Sequence, residues 1–363
     1  MKRIVCFHLY NDYSGSPKVL HMVLGGLIEK GCRIDLISSD GGVLNELDGS
    51  PAFRRYSYSY RFSENPLIVM MRYVWIQVYT FLFAFRYLFT RKAVFYINTL
   101  LPVGPALAGR IMGKRVVYHY HENAFVKGAF YRTLSWLMQH LAHEIICVSA
   151  YQASFLKRKE GVTVIPNALP RDFVARLHPN IPAAFERKTV LMLSSLKGYK
   201  GTAEFLDLAE KLPQYRFLLV INDSRENVDE FMRKRYPGAG SRPANAAVYP
   251  RQNDVAEFYG RASLVLSLSD KTKFIETFGL TALEAMTAGL PVIVPTAGGI
   301  AEMVEDGRNG YRIDVQQLGL IAARIDEILS NPDLYGGLAE GALSVSRKYS
   351  AEAMYDGILS ALA

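Results

Sequence analysis

Cysteine is scarce. The 363 residues hold three, Cys6, Cys32 and Cys147, with no C-x-x-C pair and no histidine nearby at ligand spacing. That pattern supports neither a disulfide framework nor a structural zinc site. Each cysteine lies in or beside an apolar run (IVCFHL, IICVS) and reads as a small buried hydrophobe, so a reducing, cytosolic setting is expected. No G-x-G-x-x-G follows the first β run, where the chain reads NDYSGSPKV, and a dinucleotide-dependent oxidoreductase loses its main support. An uninterrupted apolar span is also missing. The stretch from Leu67 to Phe89 is cut by Arg72 and Arg86, which leave 13 uncharged residues between them, against the roughly 20 that a spanning helix needs. A long helix is expected there, mostly buried, with a basic and aromatic face. The opening apolar run is six residues, too short for the core of a signal peptide and without a small-residue cleavage site after it. It reads as a first strand. No short repeat or low-complexity tract interrupts the chain.

What is present suits two ordinary domains. The length is about twice a typical domain, half of the residues are apolar and the mean hydropathy is +0.06. Charge is unevenly shared. Residues 1–175 hold 21 Lys+Arg against 11 Asp+Glu, and residues 176–363 hold 21 against 23. A basic first half suits an anionic surface or an anionic acceptor, and equally a solvated face with no partner. The basic residues are dispersed rather than interleaved with aromatics in a recognised module, so nucleic-acid binding is not expected.

Strand and helix signals alternate along both halves. Arg3–Leu9 is a β run followed by a polar turn, and Pro17 stands where a first helical turn begins. Val19, Leu20, Val23, Leu24, Leu27 and Ile28 recur at helical spacing, and Gly31 closes that helix. Arg33–Ser38, Val94–Ile97, Val116–His121, Glu144–Val148 and Val162–Ile165 are short β-rich runs. The pattern restarts with strands at Thr189–Leu193, Phe217–Ile221, Ala247–Tyr249 and Ala262–Ser269, and a helix at Ala203–Leu212. Strands alternating with helices predict parallel sheets covered on both faces. The expectation is an α/β chain of two doubly wound, Rossmann-like domains facing across a cleft. The first is placed at 1–175 and the second at 187–345. A C-terminal helix at 346–363 is expected to pack back toward the first domain. The proline-containing segment RLHPNIPAAFERK is the linker candidate.

The most informative stretch is ETFGLTALE, Glu276 to Glu284, running on into AMTAGLPVIVP. Two carboxylates stand eight positions apart around a Phe-Gly step that opens a helix, with β-rich segments on either side. A strand-to-helix loop offers free N–H groups and the positive end of a helix dipole, which attract phosphate. The carboxylates cannot bind phosphate, so their expected targets are hydroxyls on the same ligand. Phosphates flanked by hydroxyl-bearing rings describe a sugar nucleotide.

These residues resemble the retaining family 4 glycosyltransferases of the GT-B fold. The likeness covers essentially the whole chain and is strongest from Thr189 to Ile313. It rests on Glu276, Thr277, Phe278, Gly279, then Glu284, Ala285 and Met286, followed by GLPVIVPTAGGIAEMVEDGRNGYRI. SSLKGYKG resembles the family's Gly-Arg-Leu…Lys-Gly segment, whose Arg and Lys hold the donor diphosphate. Lys200 matches the Lys, whereas Ser195 stands where the Arg usually is. A hydroxyl cannot make the bidentate contact of a guanidinium, so either Lys197 supplies the charge or donor affinity is reduced. VVYHYHEN resembles the strand whose terminal histidine, here His121, faces the reaction centre. Ser149 and Asn167 match the strand-end Ser and the Ile-Pro-Asn segment. Gly15 corresponds to the glycine that lets backbone approach the donor phosphates.

The resemblance implies transfer of a glycosyl unit from a nucleoside diphosphate sugar, a UDP-sugar first, to an acceptor hydroxyl with retained configuration. Lys200, with Lys197 and the amides of Phe278–Leu280 and around Gly15, would stabilise the leaving diphosphate. Thr277, Gly279, Leu280 and Thr281 complete the expected donor site. Glu276 would contact a sugar hydroxyl and Glu284 the ribose diol. His121, at a strand end, is expected to bind a sugar hydroxyl or stabilise charge, as a switchable acid or base. Asp12 and Glu122 would help orient the acceptor. No Asp-x-Asp occurs, so no paired carboxylates would hold a divalent ion against the diphosphate, and neither metal nor cofactor is expected. The acceptor is expected to be carbohydrate or lipid-linked, in bacterial cell-surface polysaccharide or lipopolysaccharide synthesis. The protein would be cytoplasmic, with peripheral contact at the anionic inner face of the membrane. A sugar-nucleotide epimerase of the same fold, or a non-catalytic nucleotide-sugar-binding protein for which Ser195 is the hint, are the alternatives.

Overall fold

The computed structural model describes residues 2–61, 63–238 and 241–363. They form two compact units. One holds the residues up to Asn167 together with Ala351–Ala363, and the other holds Ala168–Ser350.

In the first unit the strands are β1 (Arg3–Phe7), β2 (Arg33–Ser39), β3 (Phe53–Tyr58), β4 (Ala93–Asn98), β5 (Arg115–Tyr120), β6 (Glu144–Cys147) and β7 (Val162–Val164). They form one parallel sheet in the order β3-β2-β1-β4-β5-β6-β7. The helices are α1 (Gly15–Glu29), α2 (Pro66–Ala84), α3 (Val103–Ile111), α4 (Ala129–Leu141) and α5 (Ala150–Ser154). Every residue of β4 is buried, as a central parallel strand covered on both faces requires. β3 escaped the sequence reading because FRRYSY carries two arginines and is only half buried. It is the edge strand, where such composition is tolerated.

The second unit opens with α6 (Arg171–Ala175) and α7 (Ile181–Arg187). Its strands are β8 (Thr189–Ser194), β9 (Arg216–Ile221), β10 (Ala246–Tyr249), β11 (Leu264–Leu266), β12 (Val292–Val294) and β13 (Gly310–Arg312). They too are all parallel, in the order β10-β9-β8-β11-β12-β13. α8 (Thr202–Lys211), α9 (Arg225–Arg235), α10 (Ala256–Arg261), α11 (Leu280–Thr287), α12 (Gly299–Glu302), α13 (Leu318–Ser330) and α14 (Pro332–Ser346) complete the unit. The chain then returns to the first unit as α15 (Ala351–Ala361), which packs on α1 and β6.

Three sequence expectations change. Residues 168–175, read as the end of the first domain, pack in the second unit. The linker candidate is α7, whose N-cap Asn180 accepts a hydrogen bond from the Ala183 amide at 3.1 Å and which packs against α10 and α14. The third correction concerns α2. Its inner side buries Ile76, Thr80 and Ala84 and packs Tyr73, Tyr79 and Phe83 on the core. Its outer side is open: Leu67 is 73%, Trp75 68% and Leu82 62% exposed. Only 17% of its most apolar 18-residue window is buried. Periodicity could not tell this, because both sides of the helix are apolar and the helical repeat is lost.

Gly26 lies where α1 meets α15, and a β-carbon there would fall 2.5 Å from the Tyr355 ring. We expect Gly26→Val to force α15 outward and cost about 1–3 kcal/mol, read as a lower midpoint in thermal or urea unfolding; an unchanged midpoint would show that the helix docks loosely.

Candidate active site

Both sheets reverse their winding direction once, between β1 and β4 and between β8 and β11. The loops that leave those neighbouring strands diverge to opposite faces, and in open parallel sheets ligands bind at such points beyond the carboxyl ends. Asp12, Gly15, Ser195, Lys197, Lys200 and the Glu276–Gly279 loop fall at these two places, whereas His121, Glu122, Ser149 and Asn167 follow β5, β6 and β7.

In the second unit the loop after β8 carries Ser195, Lys197 and Lys200, and the loop after β11 carries Ser269 through Gly279. The Lys200 amide donates to the Lys197 carbonyl at 2.8 Å, closing a turn, and the Asp270 amide donates to the Tyr199 carbonyl at 2.8 Å, joining the two loops. Across that join the Lys200 ammonium donates to Glu276 Oε1. It also stands 4.1 Å from the centre of the Phe274 ring, which stacks on Tyr199 at 4.8 Å. Ser269 Oγ lies 3.3 Å from the same Glu276 oxygen. Lys197 is exposed on the turn and takes no part in this pair, and Ser195 is half-buried beside it.

The Glu276 backbone is held as firmly as its side chain. Its carbonyl accepts the Gly299 amide at 2.8 Å. Two residues on, Phe278 is buried and meets Tyr349 edge to face at 5.8 Å, so only its backbone is offered to a ligand. Gly279 caps α11 at φ +100°, with Ile300 where a β-carbon would point. A larger residue is excluded twice over, by the left-handed backbone and by the packing. Thr277, Leu280 and Thr281 stand half-buried around this helix start. Glu284, on the second turn of α11, accepts a hydrogen bond from the Tyr259 hydroxyl. Burial, then the charge of Glu284, hold the Tyr259 hydroxyl well above its usual range, so it stays a donor.

Sequence reasoning missed Tyr259, Phe274, Ser269 and Asp270. Asp270 ties the loop together by accepting from the Thr272 amide at 3.0 Å, the Thr272 hydroxyl at 2.7 Å and Gln316 at 2.8 Å. The Thr272 hydroxyl leads the causes that draw its carboxyl down to about 2.

In the first unit, the strand register sets Asn98 opposite His119. Asn98 Oδ1 lies 3.0 Å from His121 Nε2, and Asn98 Nδ2 lies 3.0 Å from His8 Nδ1. The His119 and His121 rings are 4.1 Å apart, and Tyr96 Oη meets His119 Nδ1 at 2.5 Å. Only His121 of this cluster was singled out from sequence. The expectation that it switches between acid and base is corrected here. Its surroundings, poor in water and shared with His119 and His8, hold its pKa well below 6.5, so the ring is neutral.

Of the remaining candidates, Asp12, Glu122 and Ser149 hold backbone amides in place. Asp12 Oδ1 accepts from the Ser14 amide at 2.9 Å and its hydroxyl at 2.6 Å. Both Glu122 oxygens lie 3.2 Å from the Leu100 amide, and desolvation raises the carboxyl above its usual range. Ser149 Oγ caps α5 by accepting the Gln152 amide at 3.1 Å. Asn167 is buried, with no hydrogen bond to its Oδ1 among the described residues. Gly15 opens α1 with nothing within 4 Å of a β-carbon built there, so packing does not require glycine. Among the described residues, no three His, Cys, Asp or Glu side chains are grouped to hold a metal ion.

Two family models match this chain almost end to end: Glycosyltransferase Family 4 over residues 13–173 and Glycosyl transferases group 1 over residues 175–344. The chain belongs to the group 1, family 4 glycosyltransferases of GT-B fold. This glycosyltransferase is 25% identical over 247 residues to an uncharacterized glycosyltransferase of Haemophilus influenzae, covering 66% of the chain and 67% of the relative. It is 36% identical to the N-acetyl-alpha-D-glucosaminyl L-malate synthase of Bacillus anthracis, over only 25% of the chain and 23% of that enzyme. In fold it is similar to Anabaena Alr3699/HepE crystallised with UDP and glucose, with a TM-score of 0.77 and 19% identity over 100% of the chain and 99% of that protein.

Burial holds His8 at a pKa of about 4 and His119 at about 3, against 6.5 for an exposed ring. Below pH 6.5 the unfolded chain takes up protons that these rings refuse, so stability must fall as pH falls from 6.5 toward 4. The expected loss at pH 5 is on the order of 2 kcal/mol per ring. Urea midpoints compared at pH 7 and pH 5 check this: in His119→Gln the interval between them should shrink, and an unchanged interval would refute the assignment.

Proposed function

We propose that this glycosyltransferase moves a sugar from a nucleoside diphosphate sugar, a UDP-sugar first, to an acceptor hydroxyl with retained anomeric configuration and without a metal ion. The observation that carries the proposal is the Lys200–Glu276 pair at the carboxyl edge of β8 and β11. It puts a cation for a diphosphate and a carboxylate for a sugar hydroxyl on two joined loops. The UDP base and sugar are supported by the complexes of Anabaena Alr3699/HepE with UDP and with UDP-glucose.

In this reading the departing diphosphate gains negative charge, and stabilising it is the largest task of the site. Lys200 leaves Glu276 for the diphosphate, and amides at the start of α11 add donors along the helix dipole. Glu276, released from the lysine, accepts a hydrogen bond from the sugar. Glu284 takes the ribose diol, its orientation set by the Tyr259 hydroxyl. Gly15 leaves the first turn of α1 open to a close approach by phosphate. His121, neutral, donates or accepts a hydrogen bond without contributing charge. The lysines and helix start supply the positive charge that a divalent ion would otherwise bring, and Lys197 offers a second cation where Ser195 has none. A lipid-linked or envelope carbohydrate acceptor in cell-surface polysaccharide or lipopolysaccharide synthesis fits the basic first half, at the cytoplasmic face of a membrane.

Glu284→Ala should weaken UDP binding about tenfold to a hundredfold, since it removes charge-assisted hydrogen bonds to the ribose. Glu276→Ala should behave differently. Because Glu276 competes with the diphosphate for Lys200, its loss should leave UDP binding as tight or tighter while kcat drops about a hundredfold. Calorimetry with UDP beside turnover assays separates the two; equal loss of UDP affinity in both variants would overturn the division of labour.

Turnover should persist in excess chelator. Complete loss, restored by magnesium or manganese, would refute the metal-free reading, and a new sugar nucleotide formed without acceptor would favour an epimerase.

A further inference from the structure

The outer side of α2 is apolar where a surface helix should be polar. Leu67, Met71, Val74, Trp75, Val78 and Leu82 are all exposed, and at helical spacing they share one stripe opposite the buried Ile76, Thr80 and Ala84. The stripe belongs to a wider face. α3 packs beside α2 and α4 beside α3, and they add exposed Leu107, Ile111, Phe130 and Trp136. Of the 19 large hydrophobics exposed among the described residues, 14 lie between Leu67 and Trp136. Apolar patches of this extent mark a surface that something covers.

The charge on the same elements says what that is. Between Glu64 and Glu122 there is no acidic residue, and the interval holds seven Lys or Arg. Arg91 and Lys92 follow Phe89, which is 92% exposed. With Lys2, Lys114 and Arg115 they line a cavity of about 440 Å³. A second copy of this chain would set like charges against each other across the contact. An anionic bilayer satisfies both properties, taking the apolar side chains into its interfacial layer and the cations among its phosphates. Both tryptophans of the chain, Trp75 and Trp136, lie on this face, the residue type favoured at membrane interfaces.

We infer that the α2–α3–α4 face of the first unit is a docking surface for anionic lipid bilayers, with the outer stripe of α2 inserted and Arg91 and Lys92, beside the exposed Phe89, meeting lipid phosphate. α2 lies in the interface rather than across it, because its inner side is committed to the core and Gln77 Oε1 accepts the Gly104 amide of α3 at 2.9 Å.

The test uses the full chain with vesicles of phosphatidylcholine alone or mixed with phosphatidylglycerol. Cosedimentation with the anionic vesicles at low salt, weakening as salt rises, and a blue shift of tryptophan emission are expected. Trp75→Glu combined with Met71→Glu should abolish both. Arg91→Ala and Lys92→Ala should each weaken vesicle binding about fivefold, while UDP affinity, measured as a folding control in the second unit, stays unchanged. No sedimentation with anionic vesicles at low salt would overturn the inference. So would a lipid-independent dimer that the α2 variant dissolves, which would assign the face to a second copy.

Discussion

A parallel sheet sends every strand toward the same edge, and each return crossover must be right-handed. A chain that winds outward from a central strand in one direction and then starts again in the other therefore leaves two neighbouring strands whose loops go to opposite faces. Between them the backbone leaves a hollow that no helix covers. This chain meets that constraint twice, at β1/β4 and at β8/β11. The positions of Lys200, Glu276, His8 and Asn98 follow from it. None of these groups lies near its partner in sequence, and each pairing is made by strands that the winding rule has set side by side.

Electrostatics then gives the two places different characters. In the second unit a cation and a carboxylate neutralise one another at the mouth of the sheet, beside aromatic rings that support the lysine. In the first unit the imidazoles of His8, His119 and His121 are gathered where burial favours the uncharged form. That cluster supplies directed hydrogen bonds rather than charge.

The helix α2 shows how a sequence pattern can mislead. An apolar segment cut by two arginines reads as a mostly buried helix with a basic and aromatic face, because its uncharged span is too short to cross a membrane. The sheet face has room for only one side of it, and α3 occupies the flank. The other side is left as a surface of the same composition as a core. Its density of Leu, Met, Val and Trp explains the ambiguity, since composition reports how apolar a helix is and not what covers it.

Much of the architecture was legible along the chain. β-rich runs alternate with helical spacing, so the parallel sheets could be anticipated, and ETFGLTALE announced a helix start with two acids before any contact was known. Glu276 could be named from it, and Lys200 from the likeness of SSLKGYKG to the family's Lys-Gly segment. Legibility stopped where a role depends on a neighbour distant in sequence. Tyr259 looks like any core tyrosine until it donates to Glu284, and Asn98 looks like any strand-end amide until it lies between two histidines. The proline-bearing segment before β8 reads as a connection, yet its capped helix packs into the second unit. By itself the sequence determined the local grammar of strands, turns and helix starts, because those depend on backbone preference and side-chain periodicity over a few residues. Only the tertiary structure decided which acids meet which cations, which histidines lose their charge and which side of α2 faces outward, because pairing, desolvation and exposure exist only once distant segments have packed.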